Sequence, residues 1–263
     1  YIEYSNEIFN NFPQADYARE RGLELGLSVD PEEAQMRFYT LRSRQVFEIF
    51  EGVVAAARLT RVMTTWCDFP ALAETVLADA QAVAHTDALA IAPYWGMIDE
   101  AEEATILTWT LTQFLDHLEH TALPNVLANV ALNRASAQRH GLPLIAYEGG
   151  LDLRSAGVYL ENPVVNGLFD AAARHPRMGA LYDLFLQGWQ REGGGLLVHF
   201  NECDGTGPFS GRWGALEYID QPRSEAPKYD ALMRWIESHS RATARPTQLV
   251  AGLGQGGGGW IAA

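Results

Sequence analysis

The chain has 263 residues, 48% of them hydrophobic, which is enough for one large domain with a substantial core. With 33 acidic residues against 19 basic, the net charge is −14, which argues against nucleic acid and anionic membrane surfaces as partners, since both favour basic patches. No apolar run is long enough to span a bilayer, so membrane insertion is not expected. An acidic, aromatic-rich chain suits neutral ligands such as sugars, although ordinary solubility charge explains −14 equally well.

Residues 1–7, Tyr-Ile-Glu-Tyr-Ser-Asn-Glu, alternate and read as a strand ending at Glu7. The chain opens inside this run with no initiator methionine, so it reads as a piece of a longer protein. A polar loop is expected over residues 10–29. Asp30-Pro31-Glu32-Glu33 then has the order of a helix start, with Asp as cap and Pro in the first turn. That helix is predicted to run to about Ala57, with Met36, Tyr39, Val46, Phe47, Phe50 and Val54 on one face.

A second strand is predicted over 59–64, with Trp66 just beyond it, and a short helix over 70–84. Residues 87–92 read as a buried strand running into Pro93-Tyr94-Trp95-Gly96. A long helical region over about 101–140 is interrupted near Leu123-Pro124. Leu144-Ile145-Ala146-Tyr147-Glu148 is the fourth strand, followed by Gly149-Gly150. After an irregular loop come helices at about 164–173 and 178–191, a fifth strand at 196–200, a Gly-rich loop with Trp213, and a last helix at about 226–239. Alternating strands and helices imply an α/β fold with a parallel sheet.

Residues 1–240 form the folded portion. Residues 241–263, with Gly254-Gln255-Gly256-Gly257-Gly258-Gly259, read as a linker or tail, with a further module or a chain end beyond it.

Two strand-like runs end in a carboxylate, at Asn6-Glu7 and at Tyr147-Glu148-Gly149. In this order and strand spacing the chain resembles the clan A glycoside hydrolases, retaining enzymes built on (β/α)8 TIM barrels. In that clan an Asn-Glu pair ends strand four and supplies the acid/base, and a glutamate ending strand seven is the nucleophile. The resemblance covers residues 1 to about 240 and implies strands four to eight of such a barrel. The first three βα units would then lie upstream of Tyr1, and five parallel strands would be present here. It departs from the clan at Ala92-Pro93-Tyr94, which keeps the tyrosine of a frequent His-x-Tyr but not the histidine.

The resemblance implies a secreted or extracytoplasmic enzyme cleaving β-glycosidic bonds in a polysaccharide or oligosaccharide by double displacement. Glu7 would be the general acid and then base, and Glu148 the nucleophile. Asn6 would contact the 2-hydroxyl of the reacting sugar, and Tyr94 would hold Glu148 ionised and oriented. Trp66, Trp95 and Trp213 follow strands, where indole rings stack on sugar faces. His199 and Asn201 end the last strand and could reach a hydroxyl, although a satisfied core histidine is the simpler account of His199.

Each residue also has a plain structural reading: solvated loop glutamates, a turn asparagine, packed aromatics. Glu3 shares the parity of Glu7 but lies deeper, so it is not a catalytic candidate. No cofactor is expected. The histidines lack metal-ligand spacing, the glycine clusters lack a dinucleotide-site setting, and no Gly-x-Ser-x-Gly is present. The rival of another class is a non-catalytic carbohydrate-binding or surface protein on the same scaffold. A third reading is a metal-independent lyase or isomerase using two acids.

Overall fold

In a computed structural model of the protein, residues 1–98, 100–239 and 261–262 are described. The Gly-rich tail expected over 241–263 lies outside them, apart from Ile261 and Ala262. The chain divides into two compact units, each assembled from three stretches.

The first unit comprises Tyr1–Pro93, Val126–Tyr147 and Trp189–Leu197. Its centre is a three-stranded parallel sheet in chain order: β1 (Val62–Thr64), β2 (Ala88–Ile91), then the strand Leu144–Ala146. Every residue of these strands is buried, as expected of a parallel sheet covered on both faces. Val62, Ala88, Ala90 and Ile145 form one cluster, with Tyr147 and Leu196 packed against it. Single parallel bridges extend the sheet at both edges, Ile2 to Arg61 and Ala146 to Leu197.

The five strands expected from the sequence are thus three strands and two bridges, and the described residues close no barrel. The first run fails as a strand because Ser5 and Glu7 take positive φ, 67° and 44°, which ends extended backbone. Beyond Leu197, Val198–His199 pairs antiparallel with Ile261–Ala262 rather than continuing the parallel ladder.

Helix α1 (Pro13–Glu24) occupies the stretch expected to be a loop. It buries only Ala15, Ala18 and Gly22, so it shows no stripe of large apolar residues. Gly22 sits against α2 (Pro31–Glu51) so closely that a Cβ there would lie 2.2 Å from the Ala34 carbonyl oxygen. The Asp30 cap forms as the sequence predicts, its side chain accepting from the Glu33 N–H at 2.8 Å. Glu33 itself accepts from Ser28, and that hydroxyl in turn accepts from the Asp30 N–H. The helix ends at Glu51, short of the expected Ala57. The helix predicted over 70–84 is two short ones, α3 (Ala71–Val76) and α4 (Ala80–Ala84), the second capped by Asp79.

The second unit comprises Tyr94–Asn125, Glu148–Gly188 and the stretch from Val198 onward. Two short strands, β3 (Tyr94–Trp95) and the pair Gly150–Leu151, run parallel, with Tyr94 opposite Gly150. In chain order Leu144–Ala146 is therefore β4 and Gly150–Leu151 is β5. Helices α5 (Glu100–Ile106), α6 (Leu111–His117), α8 (Pro163–Arg174) and α10 (Pro227–His239) belong here, and α9 (Pro176–Arg191) has most of its length in this unit. The helical run interrupted near Pro124 widens into a π turn over Leu118–Ala122 before α7 (Leu123–Arg139), where the proline withholds a backbone donor. Phe114 of α6 and Phe169 of α8 pack with ring centroids 5.3 Å apart.

Candidate active site

Glu7 lies in a turn rather than at a strand tip. Its carbonyl accepts from the Asn10 N–H at 2.8 Å, and its φ of 44° is a conformation that costs a non-glycine residue on the order of 1 kcal/mol. Its half-buried carboxyl is held at both oxygens. The Tyr147 hydroxyl donates to Oε1 at 3.0 Å, and the Asn10 amide donates to Oε2 at 3.2 Å. Asn6 is exposed, and its carbonyl accepts from the Gln14 amide at 2.9 Å.

Glu148 follows β4 by two residues and is half-buried. The Tyr94 hydroxyl donates to its Oε1 at 2.9 Å, the contact expected of that tyrosine. The Tyr94 ring is itself set by β3 pairing and by an edge-on contact with Phe200, 6.2 Å between centroids.

Gly150, two residues after Glu148, is pressed against the His199 ring. A Cβ on Gly150 would lie 2.9 Å from His199 Nε2, and Gly150 also has a φ of 131°. Glycine there admits the neighbouring His199 side chain.

His199 is buried, in keeping with the simpler reading of it and against a contact with substrate. Its Nδ1 faces the Asn201 carbonyl at 3.2 Å, so Nδ1 carries the hydrogen and Nε2 accepts from the Tyr182 hydroxyl at 2.9 Å. That hydroxyl accepts from the Leu151 N–H at 3.1 Å. Burial, with Lys228 nearby, pushes the imidazole down to about 3.

The three tryptophans differ. Trp95 is 2% exposed and packs on Tyr182 and Phe185, so it is a core residue rather than the sugar contact expected of it. Trp66 is 48% exposed and stacks nearly parallel on Phe9, at 6.2 Å and 11°. Trp213 is half-buried, meets Phe200 edge-on and carries the Arg154 guanidinium over its ring at 5.6 Å.

Glu3 accepts from the Thr64 hydroxyl at 2.7 Å, while buried Tyr39 donates to that hydroxyl and accepts from the Thr64 N–H. Asp152, 4% exposed, is pushed up to about 6 by burial, against the opposing influence of Arg154, the Trp213 indole and Arg212.

Arg212, with φ of 55°, is buried and fully employed. It pairs with Asp170 at 2.8 Å and donates to the carbonyls of Leu153 and Ser210 and to the Asn166 side chain. Lys228, also buried, donates to the Arg212 carbonyl, and burial brings its ammonium down to about 7. Residue parity on β4 was the one available signal for Tyr147; nothing local marks Arg212 or Asp152.

Cys67 and Cys203 are both free thiols. Among the described residues no group of three His, Cys, Asp or Glu side chains is arranged to hold a metal ion, and no helix is long and apolar enough to cross a membrane. Compared with known protein families, with curated proteins and with solved structures, the chain finds no match in any of the three.

Proposed function

We propose that the protein is a retaining glycoside hydrolase acting on β-linked saccharides, with Glu7 as acid/base and Glu148 as nucleophile. The observation that carries this is the Tyr94 hydroxyl on Glu148 Oε1. A phenol donating to one carboxylate oxygen fixes the orientation of the carboxyl that would attack. The other candidate, Glu7, is likewise half-buried and held at both oxygens rather than free in solvent.

In the first step Glu7 gives a proton to the glycosidic oxygen as the C1–O bond breaks with its electron pair going to that oxygen. A Glu148 oxygen forms the new bond to C1. In the second step Glu7 takes a proton from water, the water oxygen bonds to C1, and Glu148 leaves as carboxylate. The half-exposed ring of Trp66, stacked on Phe9, is the best platform for a sugar face away from the reacting bond.

The fold proposed is strands four to eight of a (β/α)8 barrel. Its support is the run of parallel backbone partners in chain order, from Ile2 through β1, β2 and β4 to Leu197.

The test is reducing-sugar release from soluble β-glucan, xylan, mannan and galactan by the full chain and by Glu148→Gln. Release that falls by about a thousandfold or more in the variant is expected for a lost nucleophile. Binding to these polysaccharides with no release by the unaltered chain would favour the carbohydrate-binding alternative.

A further inference from the structure

We infer that Tyr147 is the positioning residue for the acid/base Glu7 and that Glu7 Oε2 is the oxygen that exchanges the proton. This rests on the hydrolase reading above and adds a role for a residue that the reading does not need.

Tyr147 is anchored at both ends of its side chain. Its backbone N–H donates to the Ile91 carbonyl at 3.2 Å, prolonging the β4 ladder by one residue. Two residues beyond Ile145, its ring falls on the same sheet face by strand parity and packs against Val62, Ala88, Ala90 and Ile145. The hydroxyl at the tip of this fixed ring donates to Glu7 Oε1 at 3.0 Å. Glu7 itself sits in a turn with a positive φ, which gives the side chain no regular element to lean on. The sheet therefore orients the carboxyl through Tyr147, not through the Glu7 backbone.

The two oxygens are not held alike. Oε1 takes a phenol fixed in a packed cluster. Oε2 takes the amide of exposed Asn10 at the longer distance of 3.2 Å. A carboxylic acid donates through one oxygen and keeps the other as a carbonyl acceptor. With Oε1 occupied by the better-fixed donor, the proton resides on Oε2, where the weaker, solvent-facing amide is displaced by the glycosidic oxygen or by water.

Tyr147→Phe keeps the packed ring and removes the hydroxyl donor. It should be compared with the unaltered chain on two substrates of one glycone: the oligosaccharide cleaved fastest, whose leaving group needs a proton, and the 2,4-dinitrophenyl β-glycoside, whose leaving group does not. The inference predicts a fall in kcat/KM of about ten- to a hundredfold on the oligosaccharide, the range for losing a hydrogen bond to a charged group. On the dinitrophenyl glycoside it predicts a change of less than about threefold in the bond-cleaving step.

An equal fall on both substrates, or none on the oligosaccharide, would overturn it. Asn10→Ala should cost less than Tyr147→Phe on the oligosaccharide, and the reverse order would overturn the assignment of Oε2. Turnover of neither substrate by the unaltered chain would remove the hydrolase reading itself, and this inference with it.

Discussion

The Tyr94 hydroxyl donates to Glu148 Oε1 at 2.9 Å from a strand whose register sets Tyr94 opposite Gly150, two residues past that glutamate. The contact is therefore fixed by backbone pairing as well as by the side chains. Tyr94→Phe keeps the ring against Phe200 and removes the donor. If the proposed hydrolase reading holds, kcat/KM on the polysaccharide cleaved should fall about ten- to a hundredfold, the range for a hydrogen bond to a charged group. Unchanged kinetics would show that Glu148 needs no help from Tyr94.

Arg212 ties the loop after His199 to α8 through Asp170 and Asn166, and its side chain is 1% exposed. Arg212→Met strands the Asp170 carboxylate and the acceptors on Leu153, Ser210 and Asn166. Denaturant unfolding should show a loss of about 3–5 kcal/mol, as for breaking one side of a buried ion pair. Arg212→Lys should recover little, because an ammonium cannot reproduce the planar fork. Asp170→Asn, which keeps an acceptor, should cost about 1–2 kcal/mol.

Asp152 makes stability fall as pH rises. Its folded value near 6 exceeds the unfolded carboxylate value of about 4, so the folded chain holds an extra proton between about pH 4 and pH 6. Stability attributable to this group is present below that window and lost as pH rises through it, by up to about 3 kcal/mol for two pK units. Asp152→Asn should flatten this part of the curve and be the more stable form above about pH 6. Urea unfolding of both proteins at a series of pH values checks it, and parallel curves would contradict it.

His199 acts in the opposite sense. The folded imidazole is pushed down to about 3 by burial, whereas the unfolded one titrates near 6.5. The unfolded chain binds the extra proton between these values, so stability is full above about pH 6.5 and drains away as the solution is acidified towards pH 3. His199→Gln should lose packing but show a shallower acid limb than the unaltered chain. NMR titration showing His199 protonated near neutrality in the folded protein would contradict this.

Much of the scaffold is legible in the sequence because its signals are local. Asp30-Pro31 with Glu33 announces α2, and the Leu144–Ala146 run announces a buried strand. What escaped has non-local causes. Helix α1 buries only alanines and a glycine, so no hydrophobic stripe marks it. The run at Tyr1–Glu7 has strand composition, yet positive φ at Ser5 and Glu7 overrides it.

In the candidate site, the Tyr94–Glu148 contact is expected from the sequence, whereas the strand end expected at Glu7 is a turn, and Trp95, placed beside Tyr94, is consumed by packing on Tyr182 and Phe185. Arg212 and Asp152 owe their settings to residues far along the chain, and no local pattern encodes that.

The most direct test of the mechanism is to trap its intermediate. The full chain would be treated with the 2,4-dinitrophenyl 2-deoxy-2-fluoro-β-glycoside of its preferred glycone, digested, and its peptides mapped by mass spectrometry. If Glu148 is the nucleophile, inactivation coincides with one fluoroglycosyl group attached at Glu148, and excess unlabelled substrate protects against it. A label on another carboxylate, or turnover of the natural substrate with inversion at the anomeric carbon and no label, would contradict the assignment.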